Sequence, residues 1–242
     1  MARRRFFVPE VRRGSAELTG SDAEHLVRVL RAEAGQVYEI SDNSGLYLAQ
    51  IETARKSLIS FKVLEKLESP AEMVRITLAA ALIKFERFEW LIEKATELGV
   101  SAILPFEAVR TERGLAQASA KRLIRWEKIA LEASQQARRA HLPSIEKTVR
   151  FAKILELGAS VRLLLDEDSA ATPILGRLPA TRTATDQIAL FVGPEGGWTG
   201  EEREQAVAAG WLPCSLGRTI LRAETAATAA LAVIQAAWAG SV

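Results

Sequence analysis

From Leu190 to Glu202 the chain reads Leu-Phe-Val-Gly-Pro-Glu-Gly-Gly-Trp-Thr-Gly-Glu-Glu, an apolar strand that runs into a glycine-rich turn. Ligands of open α/β sheets bind outside the carboxyl ends of the strands, and glycine lets the backbone approach them closely. A glycine pair alone reads as a plain tight turn. Here Pro194 and Glu195, set between Gly193 and Gly196-Gly197, make the turn stiff and charged. Thr199 can cap the helix that follows, with Glu202 completing a capping box. A second loop, residues 215–227, reads Ser-Leu-Gly-Arg-Thr-Ile-Leu-Arg-Ala-Glu-Thr-Ala-Ala. Leu216, Ile220 and Leu221 interleave with Arg218, Arg222 and Glu224, offering aliphatic walls, backbone groups and ionised side chains together. That mixture suits an adenosine-bearing ligand. The glycine fingerprint of dinucleotide folds does not follow the first strand of this part of the chain, and no P-loop pattern occurs in the sequence.

These loops need a scaffold, and the apolar pattern supplies one. Residues 74–83 form a near-continuous apolar run suited to a strand covered on both faces. Helical spacing of Phe88, Leu91, Ile92, Ala95 and Leu98 follows, closed by Gly99. Further strands are predicted at 102–106, 161–165 and 188–192, with helices at 118–137, 199–209 and 223–238. Strands alternating with helices imply a parallel sheet with helices on both faces. Ahead of it, short extended runs at 6–8, 15–18, 36–40, 47–52 and 58–64 are punctuated by Gly14, Gly20, Gly35 and Asp42-Asn43-Ser44-Gly45. One helix interrupts them, capped by Ser21 or Asp22, with His25, Leu26, Val29 and Leu30 at helical spacing. The front part is therefore a small β-barrel-like module. The polar stretch 65–72, with Ser69-Pro70, is the linker. The expected domains are residues 1–68 and 73–242.

The chain has 242 residues, 48% hydrophobic and 26% charged, which excludes a disordered, collagen-like or coiled-coil protein. Its net charge of +2 is uneven. Residues 121–150 carry eight basic side chains (Lys121, Arg122, Arg125, Lys128, Arg138, Arg139, Lys147, Arg150) against Glu127, Glu132 and Glu146. Such a stripe is the footprint of a polyanion binder, although a solvated helix face looks similar. One cysteine, Cys214, and two histidines, His25 and His141, make no metal site and no internal disulfide. Cys214 reads as buried and inert. Trp90, Trp126, Trp211 and Trp238 read as packing residues and Trp198 as a lid on the glycine loop. Arg3, Arg4 and Arg5 are not followed by an apolar stretch, and the alanine-rich segment 223–239 is interrupted by polar residues. A cytoplasmic protein with no membrane role is expected.

Taken together, Gly193-Pro194-Glu195-Gly196-Gly197 and the run from Leu216 to Ala226 resemble the signatures of the bacterial 16S ribosomal RNA uridine N3-methyltransferases of the SPOUT superfamily. Lys84, Arg87 and Glu89, residues 94–100, Thr111-Glu112-Arg113, Arg125-Trp126 and the N-terminal Arg5-Phe6-Phe7-Val8 extend the resemblance over essentially the whole chain. Where the family pattern carries a Glu-Gln-Ser-Gly-Arg-like run, this chain has Gln135-Gln136-Ala137-Arg138-Arg139. The resemblance implies a SPOUT-type, trefoil-knotted parallel-sheet domain behind a PUA-like β-barrel domain. It also implies a homodimer that uses S-adenosyl-L-methionine on 16S ribosomal RNA or the small ribosomal subunit. Leu165, Val192, Gly193, Pro194, Glu195, Gly196, Gly197, Leu216, Gly217, Ile220, Leu221 and Thr225 would hold the cofactor.

Methylation at uridine N3 requires loss of an imide proton. Arg222 is the candidate to stabilise the charge left on the uracil carbonyls, and Glu195 or Glu224 to accept the proton or fix that arginine. Glu224 could equally cap the last helix and pair with Arg222. Arg3, Arg4, Arg5, Arg28, Arg31, Arg113, Arg138 and Arg139 are the candidate RNA contacts. Two other readings stay open at this point: a related enzyme acting on ribose 2′-oxygen or pseudouridine N1, and a noncatalytic ribosome-assembly factor.

Overall fold

The computed structural model describes residues 4–69, 74–168 and 171–239. Arg3 and the linker residues 70–72 lie outside them. The chain forms two compact units: Met1–Pro70 with Ser134–Leu142, and Ala71–Ala133 with Pro143–Val242.

In the first unit, β1 (Arg5–Phe7), β2 (Val11–Arg12), β3 (Ser15–Thr19), β4 (Val37–Ser41), β5 (Leu46–Arg55) and β6 (Leu58–Leu67) form one sheet in the order β1-β4-β5-β6-β3-β2. All pairs are antiparallel except β1 with β4. Strict alternation turns Ala16 and Leu18 of β3, and Ile59 and Phe61 of β6, inward. Register shifts at Leu48/Ala49 and Ile51/Thr53 bend the long β5–β6 ribbon, as bulges do. Helix α1 (Gly20–Val29) closes the core with Ala23 and Leu26. Its N-cap is Thr19, two residues ahead of Ser21 and three ahead of Asp22, while His25 and Val29 face solvent.

Ser134–Leu142 falls within residues 73–242 in sequence but joins this first unit. Arg5 is the reason. Its buried guanidinium grips Glu39 at 2.8 Å and donates to the carbonyl of Arg138. Ser41 Oγ donates to the Ala140 carbonyl at 2.7 Å, and Asn43 Oδ1 accepts from Leu142 N–H at 2.7 Å. His141 Nδ1 lies 2.9 Å from the Asn43 carbonyl.

The second unit is built on a seven-stranded sheet among the described residues. Its strands are β7 (Arg75–Ala81), β8 (Ala102–Glu107), β9 (Ser144–Ile145), β10 (Val149–Arg150), β11 (Val161–Leu165), β12 (Gln187–Val192) and β13 (Leu212–Cys214). The order is β10-β8-β7-β12-β11-β13, β9 also pairs with β8, and every pair is parallel. Parallel strands need helical crossovers, so both faces are covered and β7 and β12 are buried almost throughout. One face packs on α2 (Phe85–Glu97), α4 (Leu123–Gln136) and α7 (Ala223–Ala239). The other packs on α5 (Phe151–Leu155), α6 (Gly200–Ala208), Trp198 and Trp211. The single helix predicted at 118–137 is instead α3 (Leu115–Ser119), a 3₁₀ turn at Ala120–Arg122, and α4. Trp126, Trp211 and Trp238 are buried as expected, whereas Trp90 is 42% exposed. Among the described residues no helix is long and apolar enough to cross a membrane.

Candidate active site

Strands β11, β12 and β13 end side by side at Leu165, Val192 and Cys214, and the segments that follow them enclose a cleft of about 310 Å³. This is where a parallel α/β sheet offers a ligand site, and the volume falls in the small-molecule range. Of the residues picked from the sequence, Leu165, Val192, Gly193, Pro194, Glu195, Gly197, Leu216, Gly217, Ile220, Leu221 and Arg222 line the cleft. Gly196, Thr225 and Glu224 stand outside its lining. Trp198, read from the sequence as a lid on the glycine loop, also lines it, and Arg87, Asp166, Glu167, Thr219, Ala223 and Ala226 do so without having been singled out for it. Asp166 and Glu167 carried a usable signal, being acids directly after a strand. Arg87 carried only its place in the family pattern.

The first loop is anchored at several points. Gly197, at φ +70°, donates its N–H to the Pro194 carbonyl at 2.9 Å and closes the turn. Arg110 donates to the Gly196 carbonyl at 2.7 Å. Thr199 and Glu202 form the expected capping box, and the buried Glu202 carboxylate also accepts the Val109 N–H at 2.9 Å. Trp198 is a wall and not a lid: it is 3% exposed, stacks with Phe106 and donates from Nε1 to the Leu165 carbonyl at 2.8 Å. Beside it Arg203 grips Asp166 through Nε and Nη2 at 2.9 and 3.1 Å. That hydrogen-bonded carboxylate holds the guanidinium above its ordinary pKa.

In the second loop Gly217 adopts φ +127°, and a Cβ there would meet nothing within 4 Å, so bare backbone faces open space. Ile220 is 82% exposed. Arg222 is also exposed, and among the described residues no acid reaches it. Its expected pairing with Glu224 is not what the structure has. Glu224, 8% exposed in the first turn of α7, has Oε1 4.0 Å from Arg87 Nε, and its Oε2 is buried with no hydrogen-bond partner among the described residues. Arg87 also makes a close ion pair with Glu195. Burial pushes the Cys214 thiol up to about 12, which makes it a poor nucleophile. Among the described residues no cluster of three His, Cys, Asp or Glu could hold a metal.

The RNA candidates are dispersed. Arg4, Arg28, Arg31, Arg113 and Arg138 are exposed and Arg139 is half-buried. Arg5 is buried, its guanidinium spent on Glu39 and the Arg138 carbonyl, which takes it off the surface where RNA contacts are made.

A two-unit chain whose parallel α/β unit carries such a cleft fits one class. The sequence profile of the RNA methyltransferase domain matches residues 70–235, and that of the RNA methyltransferase PUA domain matches residues 18–64. The chain is 36% identical to the ribosomal RNA small subunit methyltransferase E of Synechocystis over 241 residues, 98% of this chain and 78% of the relative. It is 31% identical to that of Bacillus subtilis, covering 90% of this chain and 88% of the relative. The crystal structure of the Neisseria gonorrhoeae enzyme bound to S-adenosyl methionine superposes with a TM-score of 0.85 at 30% identity, covering 98% of each chain. A putative methyltransferase of Legionella pneumophila, also in complex with this cofactor, gives 0.88 at 30% identity and the same coverage. The chain belongs to the ribosomal RNA small subunit methyltransferase E family.

Proposed function

We propose that the protein is an S-adenosylmethionine-dependent methyltransferase that modifies N3 of a specific uridine in 16S ribosomal RNA. The observation that carries this reading is that the two glycine-bearing loops, separate in the chain, meet in one cleft at the ends of β11, β12 and β13 with Arg222 on its wall. The residues fit the cofactor. Gly217 leaves backbone open to the cleft, and Leu165, Val192, Leu216 and Leu221 give apolar walls. S-adenosylmethionine, when bound, supplies the methyl group.

The chain's own residues supply the rest. Arg222, free of any acid among the described residues, stabilises the negative charge on the uracil carbonyls when N3 gives up its proton. Glu195 or Glu224 takes that proton. Holding nitrogen and methyl in line is worth roughly 7 to 11 kcal/mol in favourable cases, so positioning carries much of the rate. Arg4, Arg28, Arg31, Arg113, Arg138 and Arg139 contact the RNA, and Arg3 is proposed with them. Residues 1–68 act as the RNA-gripping domain and residues 73–242 as a knotted catalytic domain. The protein works in the cytoplasm as a homodimer. The small subunit methyltransferase E names of its relatives and their cofactor-bound structures support the substrate and donor.

Calorimetry with S-adenosylmethionine and mass spectrometry of ribosomal RNA from a deletion strain test this reading. Cofactor binding, with a single N3-methyluridine missing from the deletion strain, is the expected result. A lost methyl on ribose or pseudouridine points to the related enzyme, and no cofactor binding points to the assembly factor; either overturns the proposal. Arg222→Ala abolishes turnover with cofactor affinity nearly intact if the arginine acts as assigned.

A further inference from the structure

We propose that Arg87, on the cleft wall, is a positioning residue for the transfer step, holding Glu195 of the lining and Glu224 just outside it in place. This rests on the reading above, in which one of these acids takes the uridine proton. The two acids come from different elements: Glu195 from the loop after β12, Glu224 from the first turn of α7. A single side chain from the first turn of α2 reaches both, through Nη1 to Glu195 and at 4.0 Å from Nε to Glu224. The cleft therefore holds two guanidinium groups with different occupations. Arg87 is committed to two carboxylates, and Arg222 is committed to none among the described residues.

Glu224 needs this partner more than Glu195 does. Its side chain is 11% exposed, and one carboxylate oxygen has no donor among the described residues. Among the described residues, Arg87 and the positive end of the α7 dipole offset its charge. That oxygen is buried and Glu224 lies outside the cleft lining, so the carboxylate depends on Arg87 to hold its charge in place beside the cleft.

The backbone of the first loop does not depend on Arg87. It is held by the Gly197–Pro194 hydrogen bond, by Arg110 on the Gly196 carbonyl and by Trp198 on the Leu165 carbonyl. Removal of Arg87 thus frees the Glu195 side chain and leaves Glu224 uncompensated, while the walls that would take the cofactor keep their shape. Loss should fall on the transfer rate and not on cofactor affinity.

The experiment compares the full-length protein with Arg87→Met, Arg87→Lys, Glu195→Gln, Glu224→Gln and Arg87→Met/Glu195→Gln. Three quantities are read: the S-adenosylmethionine Kd by calorimetry, the single-turnover methylation rate at saturating cofactor on small ribosomal subunits, and Tm. Arg87→Met is expected to lower the rate about 100-fold with Kd changed by no more than about threefold. Arg87→Lys is expected to recover about tenfold of the loss, because a compact ammonium can keep one of the two acids. The double variant should be no slower than the slower of its parents. A Kd that worsens as much as the rate, a rate near that of the parent protein, no recovery in Arg87→Lys, or multiplicative losses in the double variant overturns the inference. Parent-like rates for both Glu195→Gln and Glu224→Gln would instead remove the carboxylates from the proposed chemistry, which is a separate failure.

Discussion

The indole of Trp198 lies against the α-carbon of Gly193: a Cβ at that position would stand 2.8 Å from the ring carbon Cε2 and 3.1 Å from Nε1. The ring cannot retreat, being buried among Phe106, Phe151 and Phe191 and hydrogen-bonded to the Leu165 carbonyl. Gly193→Ala should therefore cost about 1 to 3 kcal/mol of stability, as overpacking does, and weaken cofactor binding with it. Thermal denaturation and calorimetry measure the two effects. Trp198→Phe in the same chain should return part of the loss, and a neutral Gly193→Ala would show that the loop yields.

Arg138 occupies the left-handed region at φ +56°, a conformation that favours glycine. Its guanidinium reaches Glu39 only at 3.4 Å and is part-exposed, so the pair gives little back. Arg138→Ala and Arg138→Gly both lose that pair but differ in backbone strain. The glycine variant should be more stable than the alanine variant by about 1 kcal/mol, read from urea denaturation midpoints. Equal midpoints would mean that the turn carries no strain.

Glu202 is 3% exposed and stitches two segments together, accepting from Val109 N–H, Thr199 N–H and Thr199 Oγ1. Glu202→Ala strips the cap of α6 and leaves the Val109 N–H without its acceptor. A loss of about 3 kcal/mol is expected by chemical denaturation, from the cap and a charge-assisted hydrogen bond together.

Cys214 keeps its proton up to about 12 in the fold, against an ordinary 9.0. Above pH 9 the unfolded chain releases that proton while the folded chain retains it, so stability falls as pH rises from 9 toward 12 and is untouched below. Cys214→Ala should flatten this limb relative to the parent protein. Iodoacetamide at pH 8 should label the thiol only after unfolding, and rapid labelling of the native protein would refute its burial.

Much of the α/β unit was legible in the chain, for a definite reason. Residues 74–83 are apolar without a break because β7 is covered on both faces, and the strand at 188–192 is β12 by the same logic. The glycine loop was legible too, since Gly197 at φ +70° and Gly217 at φ +127° require a residue without a Cβ. Short edge elements were not. The two-residue strands β9 and β10 are too brief for any period, and the break between α3 and α4 left the apolar spacing of 118–137 intact.

By itself the sequence determined which faces are buried and where the backbone must turn, because those are local properties that repeat at 2 or 3.6 residues. The tertiary structure alone decided what each face meets. It took Ser134–Leu142 to the first unit through Arg5, Ser41 and Asn43, turned Trp198 into a wall, and gave Glu195 and Glu224 to Arg87 instead of Arg222. The last two of these choices follow from the order β7-β12-β11-β13, which sets strand ends side by side that are far apart along the chain. No periodic pattern encodes that order, since a parallel strand reads the same whichever neighbour it pairs with.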